Sequence, residues 1–235
     1  MLSVENLSLS YEKKILHQIN FNCQQRHLTC ILGRNGAGKS SLIRCIVGLE
    51  KKFSGKIFLD NQDIKSYTAK EIARKVAVVL NSKVDAPYLR VYETVALGRS
   101  PYLNWLGQAQ ARDVEVIEQA LQITETKQFS DRFLYTLSDG ERQRVMIARA
   151  IAQESPVIVL DEPTAFLDVY YRKQTMALLH KIAVEQKKCV ISSTHEIDLA
   201  IEYAHQLLLL NLQGEHLFVQ SKAIDSSRIY TFLGL

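Results

Sequence analysis

The 235-residue chain carries a net charge of +4, with 47% hydrophobic and 23% charged residues. That is apolar mass enough for one sizeable domain with a lobe or insertion; there is no long basic block to argue for nucleic acid and no apolar run long enough to cross a bilayer. Cys23, Cys30, Cys45 and Cys189 are scattered without a Cys-x-x-Cys pair, so they read as reduced, partly buried thiols and not as a disulfide frame or metal site. Residues 1–5 lack the basic start and apolar stretch of a secretory signal, and the whole balance reads as a soluble intracellular protein.

Residues 4–11 alternate apolar and polar, as a half-buried strand does, and residues 15–21 repeat the pattern after a turn at 12–14. The apolar run 28–32 predicts a third strand, which leads into Gly33-Arg34-Asn35-Gly36-Ala37-Gly38-Lys39-Ser40 and then a helix over 41–47. In that strand–loop–helix setting the glycines let successive backbone N–H groups converge on an anion, helped by the partial positive charge of the helix N-terminus. Lys39 reaches the outer phosphates of a nucleoside triphosphate and the Ser40 hydroxyl can ligate Mg²⁺. Beyond the loop, residues 54–61 predict a strand ending in an Asx-type turn, 71–75 a short helix, and 76–80 a strand covered on both faces.

After Asn81 the pattern changes, and helical periodicity dominates from 91 to about 154. Val114, Ile117 and Leu121 recur on one face of a first helix. A second begins at Ser138 and carries Val145, Ala148 and Ala152. After Pro156 the alternation returns, with strands at 157–160, 190–194 and 207–210 and helices at 169–186, 197–204 and 226–235. Strand–helix alternation argues for a parallel α/β sheet. The helical stretch therefore reads as a subdomain (84–155) inserted into an α/β core (1–83 and 156–235).

Two further motifs carry chemistry. The apolar strand 157–160 ends in Asp161-Glu162, and strand C-termini are where open α/β sheets place ligands. Asp161 is placed to hold Mg²⁺ and Glu162 to orient or deprotonate an attacking water. Upstream, Leu137-Ser138-Asp139-Gly140-Glu141-Arg142-Gln143-Arg144 contains a helix capping box of Ser138 and Glu141. The same helix start could present Ser138 and the Gly140 N–H to the terminal phosphate of a second nucleotide.

A phosphate loop, a Leu-Ser-x-Gly-Glu helix start and a strand ending Asp-Glu-Pro-Thr, followed by Phe166-Leu167-Asp168 and Thr194-His195, occur in that order. The set resembles the ATP-binding-cassette (ABC) ATPases across essentially the whole chain. Gly98-Arg99-Ser100-Pro101-Tyr102 and the lobe around it resemble ATPase subunits of importers for ferric siderophores, haem and cobalamin. The resemblance implies a P-loop NTPase core of RecA-like type, with a mostly parallel sheet, an N-terminal antiparallel β subdomain and an inserted α-helical subdomain. It implies a homodimer that closes head to tail on two ATP·Mg²⁺. Each ATP would touch Gly33, Arg34, Asn35, Gly36, Ala37, Gly38, Lys39, Ser40 and Ser41 of one copy and Ser138, Asp139, Gly140 and Glu141 of the other.

Carried over in the same way, Tyr11 stacks on adenine, His195 contacts the terminal phosphate and supports the water, and Asp168 couples the two sites. Glu162, His195 and Asn81 form the catalytic set, and Ser40, Asp161 and Asn81 the Mg²⁺ set. The implied partners are polytopic permease subunits with an external substrate-binding protein, and no nucleic acid. That places the chain on the cytoplasmic face of the membrane. Two departures stand out. Asn81 occupies the place of a glutamine and is one methylene shorter. Asp139 and Glu141 stand where Gly and Gln are commoner, and both are expected to face away from an incoming phosphate. The rival readings are a soluble cassette ATPase without a transporter and a nucleotide-gated scaffold.

Overall fold

The computed structural model describes residues 1–10, 14–81, 88–103 and 109–235. In chain order its first half holds β1 (Leu2–Ser10), β2 (Lys14–Cys23), β3 (Leu28–Gly33), α1 (Lys39–Ile46), β4 (Ser54–Leu59), β5 (Gln62–Asp63), α2 (Ala69–Lys75) and β6 (Val76–Val79). The helical lobe follows with α3 (Val91–Ala96), α4 (Ala111–Ile123) and α5 (Asp139–Ala152). The core resumes with β7 (Val157–Leu160), α6 (Val169–Glu185), β8 (Cys189–Thr194), α7 (Ile197–Tyr203), β9 (Gln206–Leu210), β10 (His216–Gln220) and α8 (Ser226–Leu233).

The strands form a four-stranded antiparallel sheet, β2-β1-β4-β5, and a six-stranded sheet, β10-β9-β3-β8-β7-β6. The larger sheet is parallel except for β10, which returns antiparallel beside β9. Both the parallel core and the N-terminal antiparallel subdomain therefore stand as expected. The β4–β5 hairpin turns on Asp60 and Asn61, both at positive φ (51° and 64°). Such a two-residue turn matches strand twist and favours Asn and Asp.

The central strands are apolar on both faces because each face has its own cover. Cys30 and Leu32 of β3, with Ile158 and Leu160 of β7, pack into one cluster with α5, α6, α7 and α8. Ile31, Val157, Val159, Ile191 and Leu208 point the other way, against α1 and the antiparallel sheet. This period-two division follows from the pleat. It also means that each residue of a core strand can be assigned to a face by counting.

The lobe corrects one expectation. Ile117 and Leu121 of α4 are buried, but Val114 is 45% exposed and Asp113 takes its place inside. The charge is tolerated because Arg99 Nε donates to Asp113 Oδ1 at 2.8 Å. Arg99, 3% exposed, also donates to the Ala152 carbonyl at 2.7 Å and Glu154 Oε2 at 2.8 Å, and its guanidinium lies 4.3 Å from the centre of the Tyr102 ring. The preceding Gly98 lets this turn press on α5: a Cβ there would sit 2.3 Å from the Arg149 carbonyl. The Gly98–Tyr102 stretch is thus the seam that joins α3, α4 and α5.

Candidate functional site

The phosphate loop forms where β3 hands over to α1. Gly38, the N-cap of α1, has φ 93°, and a Cβ on it would lie 2.8 Å from Ile15 Cγ2 and Leu16 Cδ2. Only glycine lets the chain turn that tightly beneath β2. No side chain caps α1 and no acidic residue stands in its first turn. Its first N–H groups and their partial positive charge therefore face an incoming anion. The buried Lys39 ammonium curls over the loop, donating to the Gly33 carbonyl at 2.8 Å, and lies 3.2 Å from Glu162 Oε1. Lysine and glutamate, far apart in sequence, are brought together because β3 and β7 both flank β8.

Asp161 and Glu162 follow the end of β7. The Asp161 N–H donates to the Val79 carbonyl at 2.8 Å, and the Ser193 hydroxyl donates to Asp161 Oδ1 at 2.7 Å. Glu162 has φ 47°, in the left-handed region that few non-glycine residues occupy; its N–H donates to Ser193 Oγ at 2.8 Å. Such strained backbone gathers at functional sites, where the surroundings hold it. Two cavities meet at Glu162. One of ≈ 450 Å³ runs past Gly33, Arg34, Asn35 and His195, and one of ≈ 410 Å³ past Asn81, Asp139, Arg142, Gln143 and Asp161.

His195 follows β8 with its side chain half exposed, Nε2 3.4 Å from Glu196 Oε1. Arg172 of α6 donates to that same carboxylate oxygen at 2.6 Å and to the Leu167 carbonyl at 2.7 Å. It thereby ties the turn carrying His195 to the segment carrying Asp168. Asp168 itself caps α6, accepting from the Tyr171 N–H at 2.9 Å.

At the start of α5 the expected capping box is present: Ser138 Oγ accepts from the Glu141 N–H at 3.3 Å, and the Glu141 carboxylate accepts from the Ser138 N–H at 2.9 Å. Glu141 does not turn away from Ser138, because reciprocal capping folds its carboxylate onto the serine, whose hydroxyl also donates to it at 3.0 Å. Asp139 pairs with Arg142 at 3.2 Å and lines the second cavity. Gly140 lies under the Tyr171 ring, where a Cβ would come within 2.6 Å. Ser40 is exposed beside Lys39, and Asn81 is exposed at its cavity mouth. Tyr11 lies outside the described residues.

Sequence reading passed over Ser193 and Arg172. The signal for the first is plain in retrospect: hydroxyls in a strand buried from end to end must find partners. Arg172 sits on a partly exposed helix and carries no such mark.

Residues 16–165 match the ABC transporter family. The chain belongs to that family. As an ABC cassette it binds and hydrolyses ATP. It is 35% identical over 222 residues to the petrobactin import ATP-binding protein FpuD of Bacillus anthracis, an overlap of 94% of this chain and 81% of that protein. Its fold is similar to that of a metal-chelate type ABC transporter in an inward-facing conformation, with TM-score 0.87 and 32% identity over 99% of this chain and 88% of the other. A second neighbour is the dimeric structure of MJ0796, a bacterial ABC transporter cassette, with TM-score 0.80 and 26% identity over 94% of this chain and 99% of the other. Among the described residues of this cassette no helix is long and apolar enough to cross a membrane.

Proposed function

We propose that this cassette energises import of a metal chelate, working as a head-to-tail homodimer on the cytoplasmic face of polytopic permease subunits served by an external binding protein. The observation that carries the reading is the meeting of the Lys39 ammonium and the Glu162 carboxylate, 3.2 Å apart beneath an uncapped helix N-terminus. It assembles a triphosphate cradle and a water-directing carboxylate in one place. Lys39 holds the outer phosphates, Glu162 accepts the proton of the attacking water, and His195 contacts the terminal phosphate from the turn after β8. Ser138 and Gly140 serve the site of the partner copy, and Asp168 links the two. The relation to a petrobactin import protein and to a metal-chelate type transporter supports the cargo class.

The site suits Mg²⁺. Ser40 offers a hydroxyl and Asp161 a carboxylate with one oxygen held by Ser193. One or two hard oxygen donors, with phosphates and waters completing the shell, is the set Mg²⁺ takes. Ser40 and Asp161 would hold the ion, with Asn81 in the lining of the cavity that Asp161 borders, and it would supply charge neutralisation for the phosphates.

The test is Glu162→Gln. The variant should hold ATP as tightly as the native protein, release no phosphate and elute as an ATP-dependent dimer. Cells carrying it in place of the native copy should fail to take up a ferric siderophore. Native-rate phosphate release by the variant would remove Glu162 from its role, and unaffected uptake would remove the cargo assignment.

A further inference from the structure

We propose that Ser193 is a positioning residue for hydrolysis, one hydroxyl that fixes both carboxylates at the end of β7. The inference rests on the roles given above to Asp161 and Glu162. Ser193 is fully buried in β8, and Leu160 pairs with its neighbour Ser192 across the β7–β8 ladder. Counting along the pleat places Ser193 on the face of Cys189 and Ile191, which pack in the cluster that includes α1. That is the phosphate-loop side of the sheet. Ser192 falls on the opposite face.

A serine hydroxyl has one proton to give and lone pairs to receive with. Here the proton goes to Asp161 Oδ1 at 2.7 Å, and a lone pair receives the Glu162 N–H at 2.8 Å. The first bond ties down one oxygen of Asp161 and leaves the other for a cation. The second holds Glu162 in its left-handed backbone (φ 47°), a conformation that would relax toward ordinary regions without a partner for its N–H. Both bonds bear on atoms one step removed from the chemistry, where partners of ligands and bases set orientation.

The neighbouring serine supplies the control. Ser192 is buried to the same degree in the same strand, and its hydroxyl makes only a 3.4 Å contact to the Ser193 carbonyl. Ser193→Ala and Ser192→Ala should be compared in the full chain with its permease. Ser193→Ala is expected to lower kcat for phosphate release roughly 10- to 100-fold, the range for lost orienting partners, with KM for ATP within about twofold. Mn²⁺ bound with a non-hydrolysable ATP analogue, followed by electron paramagnetic resonance, should bind about tenfold more weakly. Nucleotide affinity in EDTA should not change, and Ser192→Ala should match the native protein in every readout.

A native-like kcat in Ser193→Ala, or an equal loss in Ser192→Ala, overturns the proposal. A fall in kcat with unchanged Mn²⁺ affinity overturns its Asp161 half. If the alanine variant does not fold, Ser193→Cys, a weak donor, carries the same two readouts. Glu162→Gln run alongside separates the failures. If that variant turns over normally, the underlying site reading falls. If it is dead while Ser193→Ala is native-like, only the Ser193 inference falls.

Discussion

Arg99→Met tests whether the buried charge network holds the helical lobe together. Methionine keeps the aliphatic reach of arginine but strips the lobe of its bonds to Asp113, Glu154 and the Ala152 carbonyl. The Asp113 carboxylate, 7% exposed, then loses its cation in place. Breaking one partner of a buried pair costs about 3–5 kcal/mol, because the surviving charge stays buried. At roughly 2–4 °C per kcal/mol for a chain of this size, melting should fall by about 6–20 °C in calorimetry. Adding Asp113→Leu should recover most of the loss, since a well-packed apolar replacement for both charges is often neutral. The loss should also shrink in acid. Hydrogen bonding from the Gln110 backbone N–H, opposed by burial and reinforced by Arg99, holds the Asp113 carboxyl below its ordinary pKa. A depressed carboxyl contributes stability above its unfolded value near ~3.9 and loses it as pH falls through the folded one. A penalty under about 1 kcal/mol, or a double variant as unstable as the sum of the singles, would refute the reasoning.

Two smaller tests follow. Asn81→Gln should leave phosphate release unchanged or faster, because Asn81 is exposed in the lining of the cavity that Asp161 and Glu162 border; a large loss would show a site tuned to asparagine. At the opposite end of β3, the rings of His27 and His180 lie 5.0 and 4.8 Å from that of His205, whose Nδ1 accepts the Leu28 N–H at 3.0 Å. Burial, then the charges of His180, His27 and Lys222, push the His205 pKa down. The unfolded chain therefore takes up this proton first, and stability present above ~6.5 is lost as pH falls below it. His205→Gln should flatten the fall in melting temperature between about pH 7.5 and 5.5, and parallel slopes would refute the assignment.

Which features were legible depends on whether the physics is local. The β3–loop–α1 turn, the Ser138 cap and the apolar strand before Asp161 each carry their reason within a few residues. Strand β10 was missed because its cue is a turn: Asn211 Oδ1 accepts from the N–H groups of Gln213 and Glu215, folding the chain back on β9. Val114 misled because helix periodicity sees only the apolar residue. That Asp113 faces inward depends on Arg99, from a different part of the lobe. Ser193 is the same case at the site itself, since its two partners stand just past the end of another strand.

The acidic residues of the signature segment bear on how a second copy could engage it. A helix N-terminus attracts anions, yet Glu141 has already placed its carboxylate on the Ser138 N–H and hydroxyl. An incoming phosphate must either share the serine hydroxyl with that carboxylate or displace it, and displacement would free the Ser138 N–H while leaving the cap bond from the Glu141 N–H in place. Asp139, 67% exposed, pairs with Arg142 at 3.2 Å, a surface contact that screens its charge only modestly. The carboxylate held on that serine is Glu141's, bound through both the Ser138 N–H and hydroxyl, while Asp139 is drawn to Arg142.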